Sequence, residues 1–126
     1  MVYRIIVLAP RKAGVTHEDF KARYEQHMHL VEDICGRDLM PLRHTRSYIR
    51  HDGPDDKPVL LAGRAEDVRY DAVVNMDFED EAAFQRFIGA LSTEDAKARI
   101  DADEAGFWDR TEMKVVVIDG IEETMK

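Results

Sequence analysis

The sequence predicts an α+β fold, a ferredoxin-like βαββαβ sandwich in which the helices cover one face of a four-stranded sheet. Three observations point there. Apolar, β-branched runs recur at residues 2–9, 70–78 and 111–118, with a half-polar alternating stretch at 44–51. Two stretches, one after Thr16 and one after Asp80, repeat their apolar residues at helical spacing. The pieces follow one another as β, α, β, β, α, β, and 126 residues suffice for one such domain but not for a separate cofactor domain, so residues 1–126 are expected to be a single unit.

The first strand, VYRIIVLA, ends at Pro10. Thr16 can cap the helix that follows, Glu18 and Asp19 load its first turn with negative charge, and Gly36 can end it in a left-handed conformation after Cys35. At about 100° per residue, Phe20, Tyr24, His27, Val31 and Ile34 share one face, so a histidine sits inside an apolar stripe. A short connection with Gly36 and Pro41 leads to the second strand, His44 to His51, and residues 52–69 read as a long loop with an apolar patch at 59–62. In the third strand Ala72, Val74, Met76 and Phe78 share a face. Asp80 caps a helix with the stripe Ala83, Phe84, Phe87, Ile88 and Leu91; Ser92 and Thr93 restart a helical turn through Ala96 and Ile100. An acidic connector, DADEAGFWD, leads to the last strand, and the tail after Gly120 is expected to fray or to dock on a partner.

The first and last strands are apolar on both faces, whereas the helices cover only one side of the sheet. An isolated chain would expose more apolar surface than soluble monomers tolerate. The expected remedy is a homodimer in which two sheets pair face to face as a dimeric α+β barrel, with room for a small-molecule ligand.

Charge narrows the partners. Eighteen Lys and Arg are scattered among 26 Asp and Glu, for a net charge of -8, which argues against nucleic acid. No apolar run approaches the roughly 20 residues that span a bilayer, so no membrane partner is expected. A single cysteine and the lack of a charged, apolar leader suit a reducing cytoplasm. No metal or cofactor is expected: HisMetHis puts its rings on different sides of the helix, and neither HisxxxHis, CysxxCys nor a Gly-rich phosphate loop is present.

His27 on the apolar face is a candidate general acid or base, or else a core histidine bonded to a backbone carbonyl. His29 lies about 200° around the helix from it, so the two do not share a pocket. His44, where a loop enters the sheet, is its rival, and Tyr24, one turn from His27, can donate a hydrogen bond or simply pack. Arg46, Tyr48 and Arg50 share a strand face, where they can orient a substrate carboxylate or pair with surface acids. Met28, Phe107, Trp108 and Asp109 complete the candidate substrate-binding set.

ThrHisGluAspPheLys, TyrGluGlnHis on the helix, Pro41 followed by HisThrArgSerTyr, and the late AspGluAlaGlyPheTrpAsp together resemble the EthD-like branch of the dimeric α+β barrels. The likeness runs over nearly the whole chain, with its connector at Phe107 and Asp109 and its helix histidine at His27 or His29. The resemblance implies a small enzyme without metal or organic cofactor, often a decarboxylase or dehydratase in aromatic polyketide pathways. The expectation is a lyase acting on a β-keto or anthrone-type acid by histidine acid/base catalysis. A non-enzymatic barrel that binds a hydrophobic metabolite or serves in stress, and a cofactor-free monooxygenase or cyclase, are the alternatives on the same fold.

Overall fold

A computed structural model describes residues 2–126. Strands β1 (Tyr3–Ala9), β2 (Arg43–Tyr48), β5 (Ala72–Phe78) and β6 (Lys114–Val117) form one antiparallel sheet in the order β2-β5-β1-β6. Val7 stands opposite Val74 on one side and Val115 on the other, so the two central strands come from the most β-branched parts of the chain. Strand alternation sends Ile5, Val7, Ala9, Ala72, Val74 and Phe78 to one buried face.

Helices α1 (His17–Cys35), α2 (Glu81–Leu91) and α3 (Glu94–Glu104) cover that face. Thr16 caps α1 by accepting from Asp19 N at 3.1 Å, and Gly36 (φ 80°) ends it. The face of α1 expected from its periodicity is the buried one: Phe20, Tyr24, His27 and Val31 are all under 6% exposed. Phe20 and Tyr24 pack with Val7, Ala9, Val74, Phe107 and Trp108, while Val31 joins Ile5, Phe78 and Phe87. Each such large side chain contributes about 1.5–3 kcal/mol by leaving water.

Three expectations need correction. The second strand stops at Tyr48, and His51–Asp52 (β3) pairs instead with Lys57–Pro58 (β4) in a separate small hairpin. Alternation in the sequence continues across that break, which hides it. Thr93 starts a full helix by capping Ala96 N at 3.2 Å, so α3 absorbs the first half of the acidic connector. The last strand is shorter than its apolar run.

The outer face of the sheet is divided. Ile6, Leu8, Val73 and Val116 lie on the same side as Arg4, Asn75 and Asp77, and Arg4 grips Asp77 through two hydrogen bonds of 2.5 and 2.8 Å. The outer surface is therefore apolar over the middle of β1 and β6 and polar towards the start of β1. On β6, Val115, Val116 and Val117 are 52%, 42% and 61% exposed, because among the described residues no element packs closely over that edge.

Candidate active site

His27 sits two helical turns after Phe20, on the buried side of α1 at 2% exposure. The last turn of α3 arrives opposite and brings two carboxylates. His27 Nδ1 lies 2.7 Å from Asp103 Oδ2, and His27 Nε2 lies 3.3 Å from Glu104 Oε2. The segment after α3 is then tied to the end of β1: Lys12 N donates to Phe107 O at 2.9 Å and Asp109 N donates to Pro10 O at 3.0 Å. These bonds turn Phe107 and Trp108 inward, each with its ring centroid 5.4 Å from that of His27. Gly106 lets α1 approach, since Arg23 Nη1 donates to its carbonyl at 2.6 Å and a side chain there would strike the guanidinium.

Burial by itself lowers the pKa of His27, but hydrogen bonds to Glu104 and Asp103, with their charges, outweigh it and raise the pKa above the ordinary 6.5. Both ring nitrogens thus face carboxylate oxygens, an arrangement that favours the charged form. Glu104 is also buried, and Arg110 Nε approaches its other oxygen at 3.4 Å. Burial raises the Tyr24 phenol far above its usual range, so it stays protonated.

A cavity of about 100 Å³ adjoins this group, lined by Tyr24, His27, Met28, Glu104 and Trp108 with an apolar floor that includes Val7 and Met76. It shares Val7, Met76, Phe87, Glu104 and Trp108 with a groove of about 170 Å³ that runs past Ile88 to Val115. The Trp108 indole nitrogen is buried and has no hydrogen-bond partner. A buried N–H left without an acceptor costs about 1–3 kcal/mol, and with almost no accessible surface this one meets a ligand oxygen only if the indole shifts.

The other sequence candidates scatter. His44 lies on the helix side of β2 with its Nε2 buried and unpartnered; burial, helped by Arg46, pushes its pKa down to about 4, so it is neutral. Arg46 and Tyr48 are occupied by an acid of the chain itself: Arg46 forks onto Glu25 at 2.6 and 2.8 Å, and the Tyr48 hydroxyl donates to the same carboxylate. Their partner holds them away from the cavity wall, which neither residue lines. Asp109 accepts from Thr111 N and Oγ1 at 3.1 and 2.6 Å, which stabilises the turn before β6 rather than the pocket. Phe107 packs behind His27 in the core.

Asp103 and Glu104 were not foreseen. A helical spacing through Ala96 and Ile100 that is extended by one turn reaches Glu104, and this is the signal that finds it. A second cluster also escaped: His17 Nδ1 and Arg11 Nε lie 2.8 and 2.9 Å from Asp71 Oδ2, and His51 Nε2 lies 3.5 Å from the same atom.

Residues 12–111 match the EthD domain, which is most of the chain. The chain belongs to the EthD family. No curated protein matches it. Among solved structures, this EthD domain is similar to a protein of Arabidopsis thaliana with 17% identity and a TM-score of 0.61, covering 98% of this chain and 99% of that one. It is similar to an EthD family protein of Bacillus halodurans at 14% identity and TM-score 0.55, covering 96% and 100%. A third likeness is to SnoaB, a cofactor-independent oxygenase of Streptomyces nogalater, at 10% identity and TM-score 0.54, covering 99% and 98%. At these identities the likenesses establish the ferredoxin-like fold of the EthD domain and leave its chemistry to its own residues. Those residues place an imidazole and a carboxylate at one apolar cavity, with a buried, unpaired N–H on the Trp108 that helps to line it.

Proposed function

We propose that this EthD domain is a cofactor-independent lyase that dehydrates an apolar hydroxy-ketone, such as an aromatic polyketide intermediate, by proton transfer between Glu104 and His27. The observation that carries this is the buried imidazole beside a carboxylate, His27 Nε2 to Glu104 Oε2 at 3.3 Å, at the wall of an apolar cavity. Glu104 would take the proton beside the ketone, and the electron pair would form the carbon–carbon double bond as the hydroxyl leaves with a proton from His27. The Trp108 N–H would hold the ketone oxygen while it carries enolate charge. A proton passing from Glu104 to His27 then restores both groups, and water is the only by-product.

Charge favours dehydration over decarboxylation. Asp103 and Glu104 already face His27, so among the described residues that line the cavity a substrate carboxylate finds no unpaired cation. We further propose that the working form is a homodimer, supported by the apolar middle of the outer sheet face and the uncovered β6 edge. Light scattering should give twice the 14.5 kDa chain mass, and a stable monomer at micromolar concentration would refute the barrel.

The test is turnover of a panel of β-hydroxy-ketones and matched β-keto acids by the wild type and by His27→Gln, with loss of water or carbon dioxide followed by mass. Expected is water loss that disappears in the variant while its fold persists. Tight binding without turnover would favour a metabolite-binding barrel, and release of carbon dioxide would return the acid as substrate.

A further inference from the structure

We propose that His17, His51 and Asp71 form a structural transition-metal site, of the zinc class, that pins the β3–β4 hairpin and the start of α1 to the start of β5. One ligand atom from each of the three side chains lies within 4.8 Å of the others, at a place separate from the His27 pocket. Each comes from a different segment, so no local spacing in the sequence announces the group.

The hydrogen bonds make the case. His51 Nδ1 lies 2.7 Å from the Ile49 carbonyl oxygen, which only accepts, so Nδ1 carries the proton. In the neutral ring Nε2 then points a lone pair at Asp71 Oδ2, 3.5 Å away, and two electron-rich atoms face each other. A cation between them removes that conflict. A backbone carbonyl on the far nitrogen is also the contact that fixes the tautomer of metal-bound histidines.

Geometry agrees. Bonds of about 2.0–2.1 Å in a tetrahedron put neighbouring ligand atoms about 3.3 Å apart, and the two distances to Asp71 Oδ2, 2.8 Å from His17 Nδ1 and 3.5 Å from His51 Nε2, bracket that value. Binding would displace the proton that His17 Nδ1 shares with Asp71. The rings are stacked with centroids 3.9 Å and planes 23° apart, so one ring has to turn by tens of degrees before both in-plane lone pairs meet the ion. Arg11 Nε, 2.9 Å from Asp71 Oδ2, serves as an outer hydrogen-bond donor, and its charge is balanced by its ion pair with Asp56, leaving the Asp71 charge for the metal. Two imidazoles and a carboxylate suit zinc, and cobalt as its spectroscopic substitute.

The experiment uses the full chain without an affinity tag, stripped with a chelator, then titrated with Zn²⁺ by calorimetry and with Co²⁺ by visible absorbance. Expected are one ion per chain, a tetrahedral cobalt spectrum and a rise in Tm with Zn²⁺. His17→Gln, His51→Gln and Asp71→Asn should each weaken uptake at least tenfold, on the order of the loss seen on disturbing a metal shell. His29→Gln, on the outer side of α1, should bind as the wild type does. His51→Gln lies on the peripheral hairpin and carries the test if the other variants do not fold. The proposal is overturned if there is no saturable uptake, or if folded His17→Gln/His51→Gln protein takes up Zn²⁺ as tightly as the wild type.

Discussion

His27 and His44 both point into the layer between helices and sheet, yet their surroundings push their pKa values in opposite directions. His27 meets two carboxylates from the end of α3, and its pKa rises despite burial. His44 Nε2 meets no partner, and burial takes its pKa down to about 4. The difference shows that burial alone does not set the charge of a histidine. What matters is whether a second element delivers a charge to the ring itself: α3 does so for His27, whereas the Glu25 carboxylate that α1 sends to β2 is taken up by Arg46 and Tyr48 and does not reach His44 Nε2.

The sharpest way to break this contrast is substitution. His27→Gln should lower turnover by roughly 10²–10⁴ while His44→Gln leaves it within about twofold, as initial rates on a substrate found in the panel would show. If the two variants change places, the proton-transfer group is His44. Next in size is Trp108→Phe, which removes the unpaired N–H and also shrinks a buried ring. A loss of about 10²–10³ in kcat is expected, beyond the modest fall in Tm that the smaller ring brings. An unchanged kcat would mean that the indole only fills space.

How much of this was legible in the sequence follows from what each part depends on. The central strands and α1 were readable because strand alternation and helical periodicity are local, and the same periodicity put His27 on the buried face. Its partners were hidden. Asp103 and Glu104 sit in a run of acids that looks like a solvated connector, and only the cap at Thr93 turns that run into a helix whose last turn faces His27. Arg46 and Tyr48 looked free to hold a substrate because Glu25 lies off the apolar stripe of α1, yet its side chain is long enough to reach β2. The His17, His51 and Asp71 group joins three distant segments, which no spacing rule detects.

Stability gives smaller effects. Glu104→Gln removes one of the charges that hold the imidazolium and should destabilise the fold by about 1–3 kcal/mol in denaturant titration. The effect has a sign with pH. Because the folded pKa of His27 is raised, its contribution is complete below about 6.5 and is lost as pH rises through the folded value. Wild type and His27→Gln should therefore converge in stability in alkaline solution; a gap that widens there would contradict the charge assignment. Glu25 behaves oppositely. Held down to about 2 by Arg46, with Tyr48 assisting against partial burial, it stabilises above its ordinary 4.5 and loses that contribution as pH falls towards 2. Glu25→Gln should thus flatten the acid limb of the wild-type curve slightly, and an unaltered acid limb would show that the Arg46 fork contributes nothing.

The contrast between the two histidines is tested most directly by nitrogen-15 NMR of the imidazole side chains, recorded across pH on the wild type with His27→Gln and His44→Gln used for assignment. His27 should titrate above its ordinary 6.5, while His44 should stay neutral until the solution nears pH 4. A His27 that titrates below 6.5, or a His44 that titrates above His27, would contradict the assignment of the buried proton donor.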